Sequence, residues 1–266
     1  MAFRMRRALA IFWKDALDLR KNQGLLLSML ALPAVLVIVP ALVVYAYLQN
    51  PNDPSLRTMA VYYDSTLPLS MNAGRFLVEK TLADWFGLYL VMPVFVPILI
   101  SSQSVAGEKE RRTIEPLLAS PATAAEIFFG KSLASLVPAV GISWGAFIVL
   151  CLAVDAVAWP KLHEALLPNG LWLFGVLVIA PLFAFFGNGV AVLVSARVAE
   201  ARLAQQFSAL FVLPIIGLVG VQLAGLLRAG VAYYALQGAV IALVDVGLVF
   251  ASLRLFDRER LISKWV

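Results

Sequence analysis

The sequence predicts an all-α membrane protein: six transmembrane helices preceded by an amphipathic helix lying in the membrane plane. Three observations carry this. Hydrophobic residues make up 62% of the 266 residues, charged residues only 14%, and the mean hydropathy is +0.89. A soluble chain carries roughly 45–50% and about 25%, and a fold of this size leaves too many residues facing water to hide so much apolar surface. The few charges are also spaced so that six long apolar runs lie between them. Finally, no run alternates polar with apolar residues as barrel strands do. The same composition excludes intrinsic disorder, a collagen-like fibre and a disulfide scaffold, since Cys151 is the one cysteine.

The elements follow in order. Residues 3–22 place Met5, Leu9, Phe12, Ala16 and Leu19 on one helical face and Arg4, Arg7, Lys14, Asp18 and Lys21 on another. That pattern suits an interfacial helix, because Phe3, Phe12 and Trp13 would otherwise face water. Spans are expected at about 25–48, 85–106, 132–154, 171–195, 207–227 and 229–253, each long enough for about 30 Å of hydrocarbon. Pro33 and Pro40 in the first span, and Pro93 and Pro97 in the second, free backbone carbonyls and kink their helices. Such kinks read equally as hinges or as static packing. Between these spans, residues 49–84 form a long loop, with a strand expected at Thr58–Tyr63 and a short helix at Gly74–Thr81. His163, the one histidine, falls in a short polar connection. Arg228-Ala229-Gly230 must turn the fifth span into the sixth, and Gly217, Gly220 and Gly225 suit close helix packing.

Sixteen of the 21 Lys and Arg residues fall in segments 1–24, 106–131, 196–206 and 254–266. The positive-inside rule then makes these segments, and both termini, cytoplasmic. A basic inner rim beside anionic lipid accounts for the net charge of +5 without a nucleic-acid partner. The N-terminus is not expected to be a secretory signal, and no lipidation motif is read at either end.

The densest stretch is residues 107–131, GEKERRTIEPLLASPATAAEIFFGK. It mixes Glu108, Glu110, Glu115 and Glu126 with Lys109, Arg111, Arg112 and Lys131, beside an apolar stripe of Ile114, Leu117 and Leu118. A solvated connector needs neither this length nor this pattern. A docking surface uses both, with anchors to bury and charges to set register. A helix is expected to begin at about Thr123.

The run Gly107-Glu108-Lys109-Glu110-Arg111-Arg112-Thr113-Ile114-Glu115-Pro116-Leu117-Leu118, then Ser120-Pro121 and Gly130-Lys131, resembles the signature loop of ABC-2-type transporter permeases. The six-span layout, the basic helix around Phe12-Trp13-Lys14-Asp15 and the ending Arg254-Leu255-Phe256-Asp257-Arg258-Glu259-Arg260 resemble that family as well, over essentially the whole chain. The resemblance implies an ABC-2-type exporter fold with an N-terminal elbow helix, in the prokaryotic cytoplasmic (inner) membrane. It implies that residues 107–121, with the elbow helix, couple ATP-driven closure of a separate ATPase to the spans. It also implies two permease copies, identical or homologous, with two P-loop ATPase subunits that bind ATP and Mg.

No cofactor is expected on this chain, and it is not expected to be an enzyme by itself. Gly130-Lys131-Ser132 matches only the tail of a phosphate-binding loop; Ala125 occupies the first glycine position and no strand precedes it.

Asp245 is the ionisable residue placed well inside a span, at a cost of roughly 2.5–3.5 kcal/mol on insertion scales. It reads as a path residue for a cation or proton, or as a structural partner of a neighbouring helix. Asn188, Gln222 and Gln237 are weaker path candidates, since interhelical hydrogen bonds are the commoner use of such residues, and Gln103, with Ser101, Ser102 and Ser104 at the cytoplasmic end of the second span, reads as part of an inner gate on the path. The leading function is thus the membrane half of an ATP-driven exporter. The alternative is a proton-coupled secondary transporter using Asp245, although the halves show no inverted repeat. An intramembrane enzyme would need a cluster of reactive groups that the spans lack.

Overall fold

The computed structural model describes residues 3–51, 53–68, 71–110, 122–227 and 230–255. Among these residues every regular element is helical, and six helical stretches are long and apolar enough to cross a membrane. We call the end of the bundle holding residue 3, residue 110 and residue 255 the basic end.

Helix α1 (Met5–Lys21) lies at the basic end, and Asn22, whose side chain caps the Leu25 N–H, turns it into α2 (Gln23–Gln49). Helix α1 packs on the bundle through residues outside the stripe expected to lie in the interface. Ala8 and Ile11 are buried, whereas Met5 and Leu9 are exposed together with Trp13 and Leu17. Ala8 and Ile11, three apart, sit on bundle side chains, leaving a second apolar face free for lipid.

Residues 54–63 form helix α3 (Pro54–Tyr63), not the expected strand. Asp53 caps the Ser55 N–H, and Pro54 at the first helical position starts the turn. These cues outweigh the β-prone Val61-Tyr62-Tyr63. Helix α4 (Ala73–Tyr89) is longer than expected and passes through Leu90 directly into α5 (Val91–Glu110). The second crossing therefore runs over Ala73–Glu110, interrupted at Leu90, three residues before Pro93. Pro97, by contrast, lies inside α5 without ending it.

The third crossing, α6 (Ala124–Leu162), has 39 residues, about 58 Å at 1.5 Å per residue. It outreaches the hydrocarbon at both ends. Thr123 and Glu126 form a reciprocal capping box at its start, close to the expected position. His163 closes it in the left-handed region (φ 54) and is exposed.

The fourth crossing comprises α7 (Gly170–Phe174), a π turn (Gly175–Ile179) and α8 (Ala180–Ser195). The π turn sits where Gly175 accepts the Phe86 ring, with no space for a side chain there. Phe86 in turn meets Trp172 at 5.0 Å and Tyr234 at 4.6 Å, edge to face.

The fifth crossing breaks at Phe211-Val212 into α9 (Ala201–Leu210) and α10 (Leu213–Leu223), with Pro214 in the first turn of the second piece. The last is α11 (Val231–Leu255). Of the connecting turn, Arg228 and Ala229 lie outside the described residues.

Helices α5 and α8 form the central pair, with α6, α9 and α11 around them and α2 against α4 and α6. One core of buried apolar side chains runs through the bundle, from Met29 and Val44 to Met92, Phe183 and Tyr234. The surface outside it is largely apolar, as lipid requires.

Candidate coupling site at the basic end

Charges that would be costly alone are gathered at the basic end into one buried knot. Lys131, in the second turn of α6, is its centre, with a side chain 3% exposed. Its ammonium lies 2.9 Å from Glu108 Oε2 and 3.4 Å from Asp15 Oδ2, and donates to Ser104 O and Oγ at 2.9 and 3.0 Å. Ser104 Oγ in turn donates to Asp15 Oδ2 at 2.9 Å. Lys14 pairs with Glu108 and Asp15 from the solvent side. Burial works against its charge, but the two carboxylates prevail and hold its pKa above the ordinary lysine value. The knot therefore ties α1, α5 and α6 with compensated charges, the condition under which buried ions are tolerated.

The next two residues of α5 reach the other half. Lys109 Nζ donates to Ser195 O at 2.9 Å and Ala196 O at 2.7 Å, occupying the carbonyl end of α8. Glu110 Oε1 accepts the Ala201 N–H at 3.0 Å, at the amide end of α9. Each charge thus meets the helix terminus of opposite polarity.

A second tether holds the start of α1. The Arg4 N–H donates to Glu126 Oε1 at 2.6 Å, and Arg7 stands 3.8 Å from Glu126 Oε2. At Gly130, α1 crosses α6 so closely that an added Cβ would lie 2.5 Å from Ala8 O and 2.8 Å from Ile11 Cβ. Phe3 packs edge-on against Phe129 at 5.8 Å.

Among the expected coupling residues, Gly107, Glu108, Lys109 and Glu110 therefore lie within the last turns of α5, and Glu108 and Lys109 are buried. Arg111, Arg112, Thr113, Ile114, Glu115, Pro116, Leu117, Leu118 and Pro121 lie outside the described residues. On the elbow helix, Lys14 and Asp15 join the knot, while Trp13 is 62% exposed with Phe12 edge-on beside it. The sequence reading did not single out Arg4, Glu126, Gly130 or Lys131 as site residues. For the last three, the available signal was charge and glycine within the first two turns of the helix that begins at Ala124.

The path candidates separate. Asn188 is buried and bonded at both ends of its amide: Oδ1 accepts from Ser101 at 2.8 Å and Ser135 at 2.7 Å, and Nδ2 donates to Ser132 at 3.0 Å. It pins α5, α6 and α8 together. Gln222 accepts from Tyr234 OH at 3.0 Å and donates to Ala83 O at 3.4 Å, in space left by Gly87. That joins α4, α10 and α11. Gln103 lines a cavity of about 560 Å³ between α1 and α5, with Lys14, Asp15, Asp18 and Glu108. Asp245 is buried in α11, and neither of its carboxylate oxygens has a hydrogen-bond partner among the described residues.

A bundle of six membrane-length apolar helices, with an amphipathic helix clamped by ion pairs across their ends, defines a multi-pass membrane protein. The match to the family model described as ABC-2 family transporter protein spans residues 9–253, nearly the whole chain, so the protein belongs to the ABC-2 transporter family. Members of this family generally work with an ATPase subunit. No curated protein matches the sequence.

Proposed function

We propose that this chain is the permease subunit of an ATP-driven exporter in a prokaryotic inner membrane, with the basic end and both termini in the cytoplasm. Two copies, identical or homologous, form the translocation path. Two separate P-loop ATPase subunits bind ATP and Mg and dock on α1 and on the segment that follows Glu110.

The observation that carries this reading is the buried knot of Lys131, Glu108 and Asp15. A displacement applied to α1 or to the end of α5 reaches α6 through ion pairs, and reaches α8 and α9 through Lys109 and Glu110. Packed side chains without voids move as blocks rather than deform continuously. A push at the basic end therefore tilts crossings instead of bending one loop.

The test is co-purification from native membranes under mild detergent, followed by ATP hydrolysis in proteoliposomes. The expected result is a P-loop ATPase in stoichiometric amount, with turnover that depends on this chain. Absence of any such ATPase removes the engine and refutes the reading.

A further inference from the structure

The knot leaves one charge unused, and its surroundings define a second site. Asp245 is 9% exposed, and no cation among the described residues pairs with it. It faces a pocket of about 70 Å³ between α6, α8 and α11, whose walls include Phe128, Phe129, Leu133, Phe185 and Leu248. Asn188 and Ser132 also border the pocket, but neither donates to the carboxylate: Asn188 Nδ2 is turned to Ser132 Oγ, and both Asp245 oxygens stand without a hydrogen bond among the described residues. Phe129 and Phe185 are exposed at the rim, so the pocket opens sideways onto the apolar outer surface. Asp245 lies ten residues before Leu255 at the end of α11, about 15 Å along the axis. Phe128, Phe129 and Ser132, which flank the knot residue Lys131 in α6, line the pocket too, so it opens toward the half of the bundle nearer the basic end.

We propose that this pocket binds the ammonium group of a single-chain amphiphilic amine that enters laterally from the lipid around that half of the bundle. A carboxylate buried without a partner recruits a cation. Aromatic faces beside it favour an ammonium further, and the apolar opening accepts a hydrocarbon tail. The same carboxylate repels an anion, so an ammonium joined to a phosphate, as in a zwitterionic lipid headgroup, fits less well. A neutral amphiphile leaves the charge unpaired. The identification of the bound amine as transported cargo rests on the permease reading above; the binding itself does not.

The experiment measures equilibrium binding of radiolabelled dodecylammonium to the full chain in dodecyl maltoside micelles, with empty micelles subtracted. The expected result is one saturable site per chain. Asp245→Asn weakens it by about thirtyfold or more, the usual consequence of deleting one side of a buried charge pair. Asp245→Glu keeps it within severalfold. Leu133→Phe retains the carboxylate, narrows the pocket and also weakens binding. Dodecanol, dodecyl sulfate and phosphatidylethanolamine fail to displace the probe. Unchanged affinity in Asp245→Asn or Leu133→Phe overturns the proposal. So does equal displacement by dodecanol, or displacement by phosphatidylethanolamine, which would make the pocket a lipid headgroup seat. A failure here leaves the ATPase partnership standing, because that is read by co-purification.

Discussion

Replacing Lys131 by methionine isolates what the knot contributes. The substitution keeps the chain length and apolar stem but removes the ammonium between Glu108 Oε2 and Asp15 Oδ2. Both carboxylates are about nine-tenths buried, and they keep the half-exposed Lys14 as a cationic partner, with Ser104 Oγ still donating to Asp15. Removing one partner from a buried ion pair costs about 3–5 kcal/mol, because the other charge is left unpaired. Other tethers hold α1 through Glu126 and Gly130, so the loss is expected to appear first as local detachment of α1. At about 1.4 kcal/mol per tenfold, a loss of ~3 kcal/mol speeds hydrogen exchange of the most protected α1 amides roughly a hundredfold, where opening governs exchange. Lys131→Met combined with Glu108→Gln and Asp15→Asn should recover most of the loss, since deleting both sides strands no fully buried charge, and the half-exposed Lys14 can turn to solvent. Mass-spectrometric exchange in nanodiscs reads both. An α1 exchange rate within about fivefold of wild type in the single variant would refute the reasoning.

Three further outcomes follow from the same contacts. Gly130→Ala should push α1 off α6, at about 1–3 kcal/mol for overpacking, because the new Cβ meets Ala8 O and Ile11 Cβ; denaturant unfolding in mixed micelles measures it. Asn188→Leu strands Ser101 and Ser132 and removes a partner of Ser135. It should lower stability by about 1–3 kcal/mol, read as a fall in melting temperature, with α1 exchange unchanged. Lys14 has a raised pKa in the folded protein, so its contribution is full below the ordinary lysine value of 10.5 and is lost as pH rises through the raised one. Limited proteolysis of α1 should accelerate in that alkaline window and lose its pH dependence in Lys14→Gln.

Much of this bundle is legible in sequence because lipid imposes a simple rule. Where charges are absent for about 20 residues, a helix must satisfy its own backbone. The six crossings and the capping start of α6 at Thr123 obey that rule. Residues 54–63 misled because Val61-Tyr62-Tyr63 is β-prone, while Asp53-Pro54 sets the helix from its N-terminal end. The residues by which α1 packs on the bundle were not legible for a related reason. Periodicity shows that an apolar face exists, but α1 has two environments, protein at Ala8 and Ile11 and an open surface at Met5 and Leu9. Apart from the neighbours Lys14 and Asp15, the knot depends on pairs 23 to 116 positions apart, such as Glu108 with Lys131 and Asp15 with Lys131. No local pattern encodes those pairings. Glu108 and Lys109 read as surface charges in a docking segment, yet their partners in α1, α6 and the end of α8 cover them.

The central claim is that α1, α5 and α6 move as one block at the basic end when the ATPase closes. Cysteines introduced by Phe3→Cys and Phe129→Cys, in a chain carrying Cys151→Ala, can be joined by a short reducible thiosulfonate bridge, since the two rings now stand 5.8 Å apart. Permease-dependent ATP turnover is then compared before bridging, after bridging and after reduction of the same sample. The account predicts that the bridged complex keeps most of its turnover, because the bridge restrains a joint that does not open. Loss of turnover on bridging, restored by reduction, would show that α1 must slide against α6 and would contradict the account.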